Sequence, residues 1–307
     1  MIALLLFAAA PPCRLLEAVA LVSPPGGFSP HHVDFSPDGK RLAACGHASN
    51  VAGSGTGDEA RVWDIAARRP VFTCRLGMDS IHGVALSPKG ELFVLGHQRV
   101  EVRDASGNRV RGFDTPRHGQ PGPFALLDGG KVLARAWPFI VHDAASGKEL
   151  SRRESRVIRR PGYGTRRLMA TLEHQDVDVW DVRTGALLAT LPEHPGECKA
   201  VAIRRDEKEI AVAVAGKRPE VRIWSAAGKS LRTVPTPGFE CGSLALSDDG
   251  SLIAAGNRDG MRVWETRTGG ELARHDGHGA PPLQFAPGGG LLAAARHGLR
   301  LWRIKGR

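Results

Sequence analysis

One short pattern recurs along the whole chain and limits what it can fold into. Alternating apolar residues run into an aromatic residue and then an acid in Arg61-Val62-Trp63-Asp64, Val177-Asp178-Val179-Trp180-Asp181 and Met261-Arg262-Val263-Trp264-Glu265. Val221-Arg222-Ile223-Trp224-Ser225 and Leu299-Arg300-Leu301-Trp302-Arg303 are looser copies, and Glu101-Val102-Arg103-Asp104 and Ile140-Val141-His142-Asp143 lack the Trp. The equivalent positions are 63, 103, 142, 180, 224, 264 and 302, with spacings of 40, 39, 38, 44, 40 and 38. A period near forty residues means one supersecondary unit used repeatedly, each copy burying an apolar face against its neighbours. Strict alternation over four to seven residues reads as strand.

Each unit carries further marks. Upstream lies a turn: Ser36-Pro37-Asp38-Gly39, Ser87-Pro88-Lys89-Gly90, Ser247-Asp248-Asp249-Gly250 or Ala286-Pro287-Gly288-Gly289. Pro presets φ early in such a turn and Gly tolerates positive φ late in it. A buried strand follows, such as Leu252-Ile253-Ala254-Ala255, and after the Trp comes a Gly-containing hairpin, as in Arg183-Thr184-Gly185. These units resemble WD repeats over roughly residues 16 to 305. The resemblance implies an all-β, seven-bladed β-propeller of four-stranded antiparallel blades. The last unit stops after its third strand. Leu16–Val22 resembles the fourth strand Ala186–Leu191 and is expected to complete the last blade and close the ring.

Residues 16–307 therefore read as one propeller domain, expected to be monomeric, and 1–15 as an N-terminal extension. Ile2–Ala10 is apolar and ends in Ala8-Ala9-Ala10, so an export signal is slightly favoured over a cytoplasmic start, although no basic residue precedes it. The stretch is too short to span a bilayer as a helix. Five cysteines (Cys13, Cys45, Cys74, Cys198, Cys241) include no C-x-x-C pair, which argues against a zinc site. Cys198 and Cys241 begin the first strands of adjacent units and are the one pair to consider for a disulfide.

No G-x-S-x-G elbow, P-loop or H-E-x-x-H is present, so catalysis has no motif behind it, and no cofactor or metal is expected. Asp58, Asp259 and His278 fall near the places where WD repeats keep a buried polar network and read as structural support. His31-His32 with Asp34 is the densest histidine group and reads as strand-start residues facing solvent or the channel. Gly53–Gly57 reads as a flexible loop insertion in the first unit. The net charge is +10 and arginine dominates it. Ser151–Leu168 holds seven Arg in 18 residues. Arg159, Arg160, Tyr163, Arg166 and Arg167 are expected in the first-to-second-strand turn of the fourth unit. Arg204, Arg205 and Lys208 occupy the equivalent turn of the fifth, with Asp206 and Glu207 as acidic intruders. Arg beside an aromatic suits an anionic partner, while Arg-rich coding explains the same composition without function. The sequence thus points to a non-catalytic scaffold binding proteins. The alternatives are a binder of an anionic polymer or nucleic acid through the Arg face, and an enzyme working at the channel mouth.

Overall fold

The computed structural model describes residues 16–22, 28–48, 57–76, 80–115, 124–135, 139–153, 159–163, 167–173, 175–192, 194–277, 282–295 and 299–304. The leader-like stretch, Cys13, Gly53–Gly57 (apart from Gly57), Arg166 and His278 lie outside these residues. Strand β1 is Leu16–Val22. The first sheet contains β2 (Phe28–Phe35), β3 (Arg41–Ala48), β4 (Gly57–Asp64) and β5 (Arg69–Cys74), and the second β6 (Gly83–Leu86), β7 (Leu92–Leu95), β8 (Arg99–Arg103) and β9 (Arg109–Asp114). The third comprises β10 (Phe124–Leu127), β11 (Val132–Arg135), β12 (Phe139–Asp143) and β13 (Glu149–Arg153). The fourth comprises β14 (Arg159–Tyr163), β15 (Leu168–Glu173), β16 (Asp176–Asp181) and β17 (Leu187–Leu191). The fifth has β18 (Glu197–Ile203), β19 (Glu209–Ala215), β20 (Glu220–Ser225) and β21 (Ser230–Pro235). The sixth has β22 (Ser243–Leu246), β23 (Leu252–Gly256), β24 (Gly260–Glu265) and β25 (Glu271–Asp276). The seventh is β26 (Leu283–Phe285), β27 (Leu291–Ala295), β28 (Leu299–Ile304) and, as its outer strand, β1.

The architecture is an all-β propeller of four-stranded antiparallel blades. Its core is divided among the gaps between successive sheets. One cluster joins the first and second sheets through Val62, Cys74, Val84 and Leu92, and another joins the fifth and sixth through Val221, Ile223, Leu244 and Ile253. A third joins the seventh to the first through Leu299, Leu301, Phe35 and Trp63. Burial of this kind, at about 25 cal/mol per Å² of apolar surface, drives the stacking. It explains why strands in the middle of a sheet are apolar on both faces. β1 pairs antiparallel with β28, Leu16 opposite Ile304 and Val22 opposite Leu299.

The Trp positions show how one slot is supported by different chemistry. Phe28 packs 6.2 Å from Trp63, and the Arg61 guanidinium lies 4.7 Å from the Phe28 ring centre. Phe239 and Arg262 repeat this at Trp264, at 5.7 and 4.6 Å. At Trp302 the aromatic is His275, 5.4 Å away, whose Nε2 accepts from Arg300 at 2.7 Å. An Arg two residues before the Trp thus holds an aromatic ring against it. The fourth sheet instead has Trp180 Nε1 donating to Thr171 Oγ1 at 2.9 Å.

Opposite this slot, the outer strand bulges. The register skips Val71, Val110, Leu150, Leu188, Leu231 and Leu272 in the first six sheets. It skips Val19 in β1. The first five of these residues are exposed apolar side chains. A bulge at an outer strand spoils the regular edge another chain would pair with.

Candidate functional site

The turns between first and second strands form one rim. In the first sheet Ser36 Oγ donates to Asp38 at 2.6 Å and accepts from the Arg41 amide at 2.9 Å. Gly39 closes the turn with φ 69°. The sixth sheet repeats this: Ser247 donates to Asp249 at 2.7 Å and accepts from the buried Leu252 amide at 2.9 Å, with Gly250 at φ 71°. The fifth sheet builds the same turn from other residues. Arg204 holds Asp206 in two bonds of 2.6 and 2.7 Å, and Glu207 stands in the glycine's place at φ 63°. The guanidinium holds the Asp206 carboxyl below its usual range.

Other residues of these turns reach a neighbouring sheet. Arg205 Nε donates to Asp248 Oδ1 at 3.1 Å, and Asp248 Oδ2 accepts from the Gly288 amide at 2.8 Å. Asp128 pairs with Arg183 of the fourth sheet. Glu207 Oε1 accepts from the Arg167 and Leu168 amides at 2.9 and 3.1 Å. Each contact joins two sheets and satisfies polar groups that the rim would otherwise leave open.

This geometry revises the expected basic face. Arg159, Arg160 and Tyr163 are not in the turn; they lie on β14, the inner strand. Pro161-Gly162 reads as a turn in sequence, but here the pairing of β14 with β15 shifts register between Arg159 and Gly162. The bulge takes up Arg160 and Pro161, and Gly162 is back in register opposite Ala170. Arg167, Arg204, Arg205 and Lys208 do share one rim, each near a carboxylate. The partners are Asp181 (3.6 Å), Asp206 (2.6 Å), Asp248 (3.1 Å) and Asp206 (3.9 Å), in that order.

On the inner side, the first strand of each sheet leaves an open edge. Asp34 Oδ2 accepts from the Leu86 amide at 2.8 Å and Oδ1 from Gln284 Nε2 at 3.0 Å. Gln284 Oε1 accepts from the Phe35 amide at 3.1 Å. Burial pushes the Asp34 carboxyl up to about 6, against the opposing pull of the Leu86 amide, Gln284 and Arg205. Burial, with His31 adding to it, holds His32 down to about 4. Sequence alone groups His31, His32 and Asp34 but misses Gln284. The available signal is the residue two places before the turn, which is Ala85, Ala125, Ala202 and Ala245 in the second, third, fifth and sixth sheets but Asp34 and Gln284 here.

Comparison with known proteins adds partial matches. No family model matches the chain. Autophagy-related protein 16 of Arabidopsis thaliana is 28% identical over 118 residues, 38% of this chain and 23% of that protein. The periodic tryptophan protein 2 homolog of Neurospora crassa is 35% identical over 88 residues, 26% of this chain and 10% of that protein. Periodic tryptophan protein 2 of Saccharomyces cerevisiae is 30% identical over 92 residues, 30% of this chain and 10% of that protein. The matches thus span less than a quarter of each relative's length. The fold is a β-propeller, and its repeats and these partial matches are consistent with the WD-repeat family.

In this propeller several other titratable groups bond or pack within the fold. Asp58, the second residue of β4, accepts from the Ile81 amide at 2.9 Å, while His31 bonds the Ile81 carbonyl at 2.9 Å, so the first sheet grips both polar groups of that residue. Cys198 and Cys241 are free thiols, contrary to the disulfide considered from their spacing. They face different gaps, Cys198 toward the fourth sheet and Cys241 toward the fifth-to-sixth cluster. Burial pushes both thiols up to about 12, the range of an inert thiol at neutral pH. Among the described residues, no group of three His, Cys, Asp or Glu is placed to hold a metal ion. No helix among them is long and apolar enough to cross a membrane.

Proposed function

We propose that the seven sheets are the blades of one closed ring, and that this ring is a non-catalytic scaffold binding a protein partner. One observation carries the reading. The side chains best suited to chemistry or charge recognition (His32, Asp34, Arg204, Arg205) are occupied in bonds within or between sheets. Such a ring is a rigid frame for loops, and loops on rigid frames are where recognition resides. Crosslinking of the purified full chain in native extract tests it. The expected product is a stoichiometric protein conjugate that survives nuclease and moderate salt. Recovery of nucleic acid or polyanion instead, lost steeply with salt, overturns it.

The anionic-polymer reading keeps one supporting observation: the Arg167 and Lys208 side chains on the rim are 54% and 76% exposed. Binding to heparin that is unchanged when Arg167 and Lys208 are both replaced by Ala would remove it.

A further inference from the structure

We propose that Asp34 and Gln284 form a latch that holds the seam between the seventh and first sheets shut from the channel side. β1 pairs with β28 inside the seventh sheet and precedes β2 of the first sheet in sequence. The latch is a side-chain fastening between the two sheets themselves.

The argument starts from the inner strands. β2, β6 and β26 each stand first in their sheets, so their outward amides have no strand partner. A buried amide left without an acceptor carries its full desolvation penalty. At this seam the neighbouring sheet supplies the acceptor. Gln284 on β26 takes the Phe35 amide of β2 at 3.1 Å and donates its own amide to Asp34 at 3.0 Å. Asp34 then takes the Leu86 amide of β6 at 2.8 Å. Three consecutive inner strands are thereby joined by two side chains. The position two places before the turn is Ala85, Ala125, Ala202 and Ala245 in the second, third, fifth and sixth sheets. A methyl group there can join nothing. Polar side chains therefore stand at this position on the first and seventh sheets, which meet at this seam. The geometry also fixes polarity: Gln284 must give a hydrogen to Asp34 and receive one from Phe35.

That polarity provides the test. In Q284E a carboxylate faces Asp34 and the donor is lost. In D34N the new side chain can accept from Leu86 through its oxygen but then turns its amide hydrogens toward the Gln284 amide. The double variant D34N/Q284E reverses the central bond. The amide introduced at position 34 donates to the carboxylate introduced at position 284. That carboxylate still accepts from Phe35, and the oxygen at position 34 still accepts from Leu86. Hydrogen exchange on the full-length chain, read by mass spectrometry, should show each single variant about tenfold faster in peptides covering β2, β6 and β26. The double variant should return toward wild type. The β18 and β22 peptides should not change in any of the three. Faster exchange throughout the ring, no change at the seam, or no rescue in the double variant overturns the latch. If a single variant fails to fold, S243A on the inner strand β22, expected to leave the seam unchanged, and Q284L supply the comparison.

Discussion

The turns of the fifth and sixth sheets share a backbone path and differ in how they hold it. In Ser247-Asp248-Asp249-Gly250 a serine hydroxyl and the Asp249 carboxylate bond the turn's own amides, glycine takes the left-handed residue, and Asp248 reaches neighbouring sheets. Arg204-Arg205-Asp206-Glu207 replaces the serine with an Arg–Asp pair and puts a glutamate at φ 63°. A side chain in that region costs on the order of 1 kcal/mol. What the fifth turn gains is a bonding side chain at the left-handed position itself, where the sixth turn has glycine. The Glu207 carboxylate caps two amides of the fourth sheet, and Arg205 meets the sixth. A turn rich in Arg and acid can therefore be a fastening between sheets, although in sequence it resembles a charged surface.

The largest effect should come from placing a side chain where the sixth turn relies on none. Gly250→Ala puts a Cβ 2.7 Å from both Arg204 Nη1 and Glu209 Oε2, in addition to the left-handed backbone. We expect a loss of about 2–3 kcal/mol, read as a lower melting temperature. A melting point equal to wild type would mean the two turns tolerate side chains alike. Next come paired changes at Glu207. Glu207→Ala keeps the strain and loses both caps, for about 2 kcal/mol; Glu207→Gly loses the caps but relieves strain, and should be better than Ala by about 1 kcal/mol. If the two variants melt together, the backbone strain at 207 is not part of the balance.

The pH dependence separates the turns further. The Asp206 carboxyl is held low chiefly by Arg204. A depressed carboxyl stabilises the fold above the ordinary carboxylate range, and that contribution disappears as pH falls through its folded value. Arg204→Met should therefore cost about 1 kcal/mol at pH 7 and progressively less as Asp206 is protonated. Melting curves of wild type and variant from pH 7 to pH 3 check this. A constant gap would assign the loss to packing alone.

Much of the frame was legible because strand alternation and period do not depend on any one residue. Arg103 and His142 replace the Trp of their units, yet β8 and β12 form where the spacing puts them. The pairing of Leu16–Val22 with β28 followed from a count of strands in the last unit. What was hidden depended on where side chains point. Pro161-Gly162 signals a turn in any local reading, and only the partner strand shows that Pro161 lies in a bulge and Gly162 pairs with Ala170. Cys198 and Cys241 hold similar places in the sequence of their units but face separate cores. The Arg pairs were visible; their carboxylates are 43 residues away in sequence for Arg205. The Ala-to-Asp34 and Ala-to-Gln284 departures could have been read by aligning the units with one another.

The smallest effect tests whether the fifth turn's reach toward the sixth contributes stability. Arg205 and Asp248 meet at 3.1 Å with side chains 29% and 28% exposed. Pairs that water reaches contribute about 0.2–1 kcal/mol and weaken with salt. Asp248 has a second role, since its other oxygen accepts from the Gly288 amide. Arg205→Ala should thus cost less than about 0.5 kcal/mol, and that loss should shrink in high salt. Asp248→Ala should cost more than Arg205→Ala, because it also uncaps Gly288 in the seventh sheet, and salt should leave part of its effect in place. Asp248→Asn, which keeps an oxygen for Gly288 but not the charge, should fall between them. Equal losses for all three in low salt, vanishing together in high salt, would reduce this contact to simple charge pairing and leave Glu207 as the fifth turn's main fastening to another sheet.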